Sequence, residues 1–358
     1  MNNPEKSPGS DSPKIISIVI PVYNGARYLD QALTRIQTSA FKNSELIVID
    51  DCSTDRTGEI VKHFPVDRYI RNERRMDAGS CRNTGAGLAQ GDILLFMDSD
   101  ILLAEDTLGR IVSFFEHNDS SALIGLYSLE HPSSRIASRY KNTWIRHSYL
   151  AAPDPVSWFF TSVGAVRKRD WELAGGFDAG LSSRSGGEDI ELGWRLIRQG
   201  IRIFLDRGLE VVHLKSYDLS RLLKNDFLRA YGFGRLALGR GRRPKTLISK
   251  GMANIPGNFA LGSLLAAFLV LLGGLAAVYP ELLPLLLLLL FLYWALSGSF
   301  LRYVKKKLSI SRLLAFIPIL FLDHLFCFTG MFAALLSHLI RREQIDGKHP
   351  PKPKSNVD

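Results

Sequence analysis

The stretch GSCRNTGAGLAQGDILLFMDSD, residues 79–100, decides the fold. Gly79–Ala89 has the spacing of a helix, and residues 93–97 (ILLFM) form a short, wholly apolar run. Such a run is typical of a strand that is buried on both faces of a parallel sheet. Asp98 and Asp100 follow it directly, so we expect both carboxylates to emerge at the carboxyl end of that strand.

Two similar strand-and-helix units precede this stretch. Strands are predicted at Ile15–Ile20 and Leu46–Ile49, and helices at Ala26–Ser39 and Asp55–Phe64. Strands that alternate with helices are typical of a doubly wound, mostly parallel α/β sheet. Ligands of such sheets bind beyond the carboxyl ends of the strands, where this chain carries its polar clusters.

Asp98 and Asp100 are candidate ligands of a divalent cation, Mg²⁺ or Mn²⁺, that bridges a diphosphate. The Asp-x-Asp pattern also occurs in solvated turns, and the buried strand before it favours the metal site. His213 ends a predicted strand, Leu209–His213, which follows another at Ile201–Leu205. This histidine is either structural or a further metal ligand.

Asp50 and Asp51 end the second predicted strand. Ser53–Asp55 are explained as the cap of the next helix, but a cap does not explain two adjacent carboxylates, which repel unless something binds them. One of them could accept a hydrogen bond from the N–H groups of uracil or guanine. Arg82 is either a surface residue or a partner of the nucleotide and its phosphates, because its planar guanidinium reads acceptors in pairs.

Glu188 and Asp189 begin a predicted helix that ends at Gly200. Acids at a helix start can serve only to complement the helix dipole. The two glycines before them favour a second interpretation, in which one carboxylate is a general base. It would take the proton from an acceptor hydroxyl that attacks an anomeric carbon.

The carboxyl-terminal third has the pattern of a membrane region. Gly257–Tyr279 and Leu282–Leu301 are each long enough to cross a hydrocarbon core of about 30 Å, and their short link makes them a hairpin. Basic residues flank both outer ends of this hairpin, so the positive-inside rule places the preceding domain in the cytoplasm. These residues are Arg240, Arg242, Arg243, Lys245 and Lys250 before it and Arg302, Lys305, Lys306 and Lys307 after it.

A third apolar segment, 313–340, contains Pro318, Asp323 and His324, and Arg341 and Arg342 follow it. If it spans the membrane, its basic end lies outside, against the positive-inside rule. It could instead be re-entrant or lie along the interface, and the sequence leaves these alternatives open.

The whole chain has 358 residues, with 45 Lys and Arg against 35 Asp and Glu, a net charge of +10. Because the basic excess lies beside apolar spans, it favours a membrane over nucleic acid. Three cysteines without metal-site spacing indicate a reducing compartment.

The predicted segments are a disordered tail without a signal peptide (1–14), a globular domain (15–220), a basic linker (221–250), a membrane region (251–341) and a polar tail (342–358). Within the linker, 227–238 is either an interfacial amphipathic helix or an ordinary surface helix.

Five ordered motifs resemble family 2 glycosyltransferases with the GT-A fold. They are SIVIPVYNG at 17–25, ELIVIDDCSTDRT at 45–57, the stretch at 79–100, GAVRKRDWELAGGFDAG at 164–180 and GEDIELGWRLIRQG at 187–200. The resemblance implies an inverting transfer from a nucleotide-diphosphate sugar with a Mg²⁺ or Mn²⁺ cofactor. Together with the apolar spans it indicates a membrane-proximal or lipid-linked acceptor, glycan or cell-envelope synthesis and a bacterial-type inner membrane.

The resemblance also implies roles for single residues. They are the donor-side residues Pro21, Tyr23, Asp51, Arg82 and Asp98, the metal ligands Asp98 and Asp100 with His213 as a further candidate, the catalytic base Asp189, and its acceptor-side neighbour Glu188. Cys52 stands where the family usually has glycine. The Gln-x-x-Arg-Trp motif of processive synthases is absent from the sequence, which favours transfer of one sugar.

Two other classes of function compete with this interpretation. A nucleotidyltransferase on a similar sheet would need a glycine-rich, basic phosphate loop after the first strand, where this chain has PVYNGARY, residues 21–28. A non-enzymatic membrane scaffold with a decayed transferase domain would not need to keep Asp98, Asp100 and Asp189, all of which are present.

Overall fold

The computed structural model describes residues 16–179, 187–238 and 256–346. They form two compact units. The sheet unit comprises described residues up to 134, 142–179 and 188–216, and the helical unit comprises 135–141, 187 and the described residues from 217 onward. The predicted tail 1–14, the basic cluster at 240–250 and residues 347–358 lie outside the described residues.

The sheet unit is built on a mixed sheet. Its strands are β1 Ile16–Val22, β2 Ser44–Asp50, β3 Arg68–Arg71, β4 Ile93–Met97, β5 Ile101–Leu102, β6 Ser121–Tyr127, β7 Val163–Arg167 and β8 Arg202–His213. They lie in the order β3-β2-β1-β4-β7-β6-β8-β5. The first four in this order are parallel, β7 is antiparallel to both neighbours, and β6 and β8 are parallel. The predicted α/β sheet is confirmed, and its second half is mixed.

Seven helices flank this sheet in the described part of the chain. They are α1 Leu29–Gln37, α2 Thr57–Val61, α3 Ala78–Leu88, α4 Thr107–His117, α5 Ile136–Leu150, α6 Lys168–Leu173 and α7 Glu188–Arg198, and α5 contributes its first residues to the helical unit. In α1 the buried residues Leu29, Ala32, Leu33 and Ile36 recur every three or four positions, which makes one apolar face.

Two strands predicted near the end of the sheet unit, at 201–205 and 209–213, form the single strand β8. The polar residues between them make an irregularity in the pairing with β6 and not a turn, because the register shifts between Ile124 and Leu126. Gly208 N donates to Asp206 Oδ1 at 2.8 Å within this bulge. The bulge lets one strand continue to His213.

The helical unit contains four long helices in its described residues. They are α8 Leu219–Leu238, α9 Gly257–Ala276, α10 Leu283–Lys307 and α11 Ile310–Asp346, with a 3₁₀ turn at Pro280–Leu282 between α9 and α10. Three segments, Gly257–Ala276, Pro280–Lys307 and Ile310–Ile340, are long and apolar enough to cross a membrane. The helices agree with the predicted hairpin and with a helical third segment.

α8 and α11 pack closely and run in the same direction. A Cβ built at Gly330 would lie 2.3 Å from the Phe227 carbonyl oxygen and 3.0 Å from Ala230 Cβ. One built at Gly234 would lie 2.7 Å from Ala334 Cβ. Because the contacts advance together along both helices, the helices are parallel, and the glycines allow their backbones to approach. The predicted 227–238 helix therefore packs on α11 along one face.

Buried polar side chains join the helices of this unit. Lys141 forms an ion pair with Asp226, and the Tyr140 hydroxyl donates to Asp323 Oδ2 at 2.7 Å. Asp226 and Asp323 are both almost fully buried. In the same unit the Tyr293 hydroxyl and His324 Nδ1 lie 2.9 Å apart.

Candidate active site

The two aspartates after β4 lie beside the end of β8. β5 follows them immediately and pairs with β8 in antiparallel register, with Ile101 opposite His213. The N–H of Leu214 also donates to the carbonyl of Asp100 at 2.8 Å. This pairing brings His213 Nε2 to 3.8 Å from Asp100 Oδ1. Two distant stretches of sequence therefore bring Asp98, Asp100 and His213 to one sheet edge.

Asp98 is held by two donors. Arg82 Nη2 donates to its Oδ1 at 2.8 Å, and the Ser162 hydroxyl donates to its Oδ2 at 2.6 Å. Arg82 also reaches Glu188, with 3.5 Å from Nη1 to Oε1. Since Arg82 is only 4% exposed, the surface-residue alternative is wrong. Its guanidinium links the end of β4 to the start of α7.

Asp100 has a buried carboxylate oxygen whose hydrogen bonding is incomplete. Its Oδ1 has no hydrogen-bond partner within the described residues. Burial, together with the negative charge of Asp98, raises the pKa of Asp100 to about 6, and Lys215 partly offsets this rise. A buried acceptor without a donor costs about 1–3 kcal/mol, so this oxygen is suited to an additional ligand.

The residues at this edge fit a divalent cation. No three histidine, cysteine, aspartate or glutamate side chains form a ready metal cluster among the residues described. The incompletely bonded oxygen of Asp100 and the imidazole of His213 are nevertheless oxygen and nitrogen donors that such ions accept. Each Asp98 oxygen accepts one bond and keeps a second lone pair.

Tyr127, at the carboxyl end of β6, contacts both sides of this edge. Its hydroxyl donates to Ser162 Oγ at 3.0 Å. Its ring stacks on that of His213, with centroids 4.5 Å apart and planes 4° apart. Neither Tyr127 nor Ser162 was expected from the sequence, because β6 and β7 were not recognised as strands there.

Asp51 lies in a pocket of donors at the end of β2. Its carboxylate accepts from Asn72 Nδ2 at 3.1 Å, from the Met76 N–H at 2.7 Å and from Arg75 Nε at 3.0 Å. The Arg75 guanidinium lies 3.4 Å above the ring of Tyr23, which is 43% exposed. The structure thus brings Tyr23 and Asp51 together and adds Arg75, which no sequence pattern indicates beyond two adjacent arginines.

Asp50 corrects the expectation that both adjacent acids need a ligand. Its Oδ1 accepts from the Ser53 N–H at 2.8 Å and its Oδ2 from the Tyr69 hydroxyl at 2.8 Å. Burial and the Asp50 carboxylate raise the pKa of Tyr69 to about 12, so the hydroxyl remains a donor. Asp50 is therefore satisfied by the fold, and only Asp51 remains a candidate. Pro21, in β1, pairs in register with Ile49.

Cys52 has a backbone φ of 64°, in the left-handed region. Glycine reaches this region without steric cost, whereas other residues do so at a cost of about 1 kcal/mol. The unusual cysteine therefore occupies a position whose conformation suits glycine.

Glu188 and Asp189 occupy the first turn of α7 and differ in surroundings. Glu188 is buried beside Arg82, whereas Asp189 is only half-buried. Asp189 Oδ1 accepts from the neighbouring Ile190 N–H at 2.8 Å, so it also serves the helix start. The predicted end of the helix is confirmed, since Gly200 follows α7 with a φ of 82°.

Comparison with known proteins finds glycosyltransferases similar to the sheet unit. Residues 17–172 match the model of glycosyl transferase family 2. A validoxylamine A glucosyltransferase of Streptomyces hygroscopicus subsp. jinggangensis is 30% identical over 250 residues, which cover 59% of each chain. Glycosyltransferase GlyG of Streptococcus pneumoniae is 30% identical over 118 residues, 32% of this chain and 39% of its own. The chain thus spans about three fifths or less of the length of these relatives.

A solved structure shares the fold over nearly the whole chain. It is the mannosyltransferase PcManGT from Pyrobaculum calidifontis in complex with GDP-Man and Mn²⁺, with a TM-score of 0.51 and 19% identity. The likeness covers 96% of this chain and 92% of that one. At this identity it supports the GT-A fold and not a shared substrate.

Proposed function

We propose that this chain, whose residues 17–172 are a glycosyltransferase family 2 domain, is an inverting glycosyltransferase. It moves one sugar from a nucleotide-diphosphate sugar to a membrane-proximal or lipid-linked acceptor, in glycan or cell-envelope synthesis. One observation carries the proposal: buried Arg82 joins Asp98 at the donor edge to Glu188 at the start of α7. This contact supports a donor site and a base that lie on adjoining elements.

The donor base would bind beside Asp51, with Tyr23, Pro21 and Arg75 around it. A carboxylate offers about four lone pairs, and three donors contact Asp51, so it can still accept an N–H of a base. Tyr23 is exposed enough for a base to lie against its ring. Arg75 lies over that ring and would have to share or leave this position.

Asp100 and His213 would hold Mg²⁺ or Mn²⁺, and Asp98 would complete the set or contact the donor. When bound, the ion would offset the charge that develops on the diphosphate as the sugar leaves. Arg82 and Ser162 keep the Asp98 carboxylate in one orientation. The mannosyltransferase of similar fold was solved with GDP-Man and Mn²⁺, which supports a divalent cation of this kind.

Asp189 would act as the base. The acceptor hydroxyl attacks the anomeric carbon and forms the new glycosidic bond. The bond between that carbon and the diphosphate oxygen breaks, and the hydroxyl proton passes to Asp189. Glu188 is occupied by Arg82 and would orient the site from the acceptor side. A single displacement of this kind inverts the configuration at the anomeric carbon.

The apolar helices would anchor the chain in a bacterial-type inner membrane with the sheet unit in the cytoplasm. Basic residues after α10 and before α9 support this orientation. A tag at the amino terminus should be protected from protease in intact spheroplasts and cleaved once they are lysed. Cleavage in intact spheroplasts would overturn the topology.

Nucleotide release tests the activity directly. Membranes containing the full chain would be incubated with UDP-, GDP- and dTDP-sugars and Mn²⁺, with the Asp189→Asn chain as a matched control. We expect one donor class to release nucleotide in an acceptor-dependent, EDTA-sensitive reaction. Nucleotide release that is unchanged in excess EDTA would refute the requirement for a divalent cation. No release with any donor would favour the alternative of a non-enzymatic scaffold.

A further inference from the structure

We propose that Tyr127 is a positioning residue of the candidate metal site, orienting Asp98 through Ser162 and orienting His213 through its ring. The inference rests on the proposed function, because Asp98 and His213 are metal ligands only when the donor-bound cation is present. Asp98 follows β4 and His213 ends β8, and Tyr127 at the end of β6 contacts the groups that hold both. It therefore fixes two ligands that come from different strands.

The two hydrogen bonds that run from Tyr127 through Ser162 to Asp98 have a fixed direction of donation. An ionised Asp98 carboxylate can only accept, so the Ser162 hydroxyl must donate its single hydrogen to Oδ2 at 2.6 Å. Ser162 Oγ is then left as an acceptor, and the Tyr127 hydroxyl donates to it at 3.0 Å. Without this donor the Ser162 hydroxyl could rotate, and the charge-assisted bond to Asp98 would lose its orientation.

The imidazole of His213 is held on two sides. The Tyr127 ring lies parallel to it at 4.5 Å, and the His131 ring meets it edge-on at 6.0 Å. His131 is itself fixed: the Ser133 N–H donates to Nδ1 at 3.0 Å, so Nε2 carries the hydrogen and donates to the Lys215 carbonyl at 3.1 Å. These contacts restrict rotation of His213, which a metal ligand requires.

The position of Tyr127 is set by its backbone as well. Tyr127 pairs with Val211 of β8, and Arg146 Nη1 donates to the Tyr127 carbonyl at 2.6 Å. Arg146 Nη2 also binds Glu210 Oε1 at 2.5 Å, which ties β6 to β8. The Phe160 ring lies 5.3 Å from that of Tyr127. The side chain thus has little freedom, so its contacts can transmit orientation.

The test measures Mn²⁺ binding and needs no turnover. The full-length protein in detergent, with UDP, GDP or dTDP at saturation, would be titrated with Mn²⁺. Free Mn²⁺ would be followed by electron paramagnetic resonance, and the binding by nucleotide alone subtracted. Partners that orient a metal's direct ligands typically contribute 10–100-fold to affinity. We expect Tyr127→Phe to weaken Mn²⁺ binding about tenfold, and Tyr127→Leu, which also loses the stack, to approach the upper end of that range.

A double-mutant cycle identifies the route. If the hydroxyl acts through Ser162, Tyr127→Phe should cost nothing further once Ser162→Ala is present, whereas independent effects would multiply. Tyr69→Phe is the matched control, since it removes another hydroxyl that donates to a carboxylate, that of Asp50. Its Mn²⁺ affinity should equal that of the unsubstituted chain.

The outcomes separate this inference from the proposed function. If the unsubstituted chain binds Mn²⁺ with one of the three nucleotides, but Tyr127→Phe stays within about twofold of it or acts independently of Ser162→Ala, the inference fails and the proposed function stands. If the unsubstituted chain binds no Mn²⁺ with UDP, GDP or dTDP, the proposed metal and the inference fall together. Near-tenfold weakening that vanishes in the Ser162→Ala background supports the inference.

Discussion

The molecule contains two buried ionic clusters with similar ingredients and different surroundings. In the sheet unit, Arg82 faces Asp98, whose side chain is 34% exposed, and Asp100 lies close by at 15%. In the helical unit, Lys141 faces Asp226, whose side chain is 2% exposed. Each cluster pairs a buried cation with neighbouring carboxylates, and of the two the first opens toward solvent.

The difference teaches how to separate a binding site from a structural ion pair. A sealed pair such as Lys141–Asp226 holds elements together, and removing one partner leaves a charge stranded away from water. A partly open cluster with surplus carboxylates carries negative charge that a ligand can neutralise. Residue type alone does not separate the two, whereas exposure and hydrogen bonding do.

Asp189→Asn should give the largest effect, beside the open cluster that its neighbour Glu188 contacts through Arg82. Asparagine keeps the shape of the side chain but cannot accept the acceptor's proton, so turnover should fall about 10²–10⁴-fold. Donor affinity should barely change, because the base contacts the acceptor. If Asp189 served only the helix start, loss of its charge in the first turn would cost about 0.3–1 kcal/mol of stability and no turnover. A variant within about threefold of full turnover would therefore remove Asp189 from the mechanism.

Lys141→Met tests the sealed cluster. It leaves Asp226 buried without its partner, so the free energy of unfolding should fall by about 3–5 kcal/mol, as measured by chemical denaturation in detergent. Donor binding to the protein that remains folded should be unaffected. Adding Asp226→Asn removes the stranded charge and should restore most of the loss. A stable Lys141→Met chain that loses donor binding would abolish the distinction between the clusters.

Asp100→Asn should raise the free energy of unfolding at neutral pH, whereas Lys141→Met should lower it. Because burial and Asp98 raise the pKa of Asp100 to about 6, the folded chain favours the protonated carboxyl. The stability that this form contributes is fully present below about pH 4 and is lost as the pH rises through 6. At about 1.4 kcal/mol per pKa unit, Asp100→Asn should stabilise the chain in EDTA at pH 7.5 by up to about 3 kcal/mol. The gain should vanish near pH 4, and Mn²⁺ should no longer stabilise the variant.

Cys52→Gly should give the smallest effect. Relief of the left-handed conformation is worth about 1 kcal/mol, reduced by the greater entropy of glycine in the unfolded chain. Denaturation should show a gain of a few tenths to about 1 kcal/mol with unchanged turnover. Loss of donor binding would show instead that the cysteine itself contributes to the base pocket beside Asp51.

The sequence predicts those parts of the fold that local pattern determines. β4 matches its predicted bounds because five consecutive apolar residues leave no alternative to a buried strand, and the aspartates after it follow by position. The parallel half of the sheet and the apolar helices follow from the same kind of pattern. Gly200 marks the end of α7 because its positive φ needs glycine.

The parts that were missed depend on contacts between distant residues. Tyr127 and Ser162 are 35 positions apart and meet only because β6 and β7 are neighbours, while the sequence of β6 contains a glycine that obscures its pattern. Arg75 gains its position from Asp51 and Tyr23, and Asp50 is explained by Tyr69. Such roles come from tertiary pairing and leave no local period to detect.

The parallel packing of α8 on α11 has a consequence for depth in the bilayer. Helices that advance together share one level along the membrane normal, so wherever residues 327–337 lie, α8 lies too. α8 exposes Arg221, Lys224, Arg229 and Arg235. Charges in the hydrocarbon centre are costly, so this paired section belongs among headgroups and water. Only the earlier part of α11 is then free to enter the acyl region, and the positive-inside rule would be met if α8 lies on the cytoplasmic side.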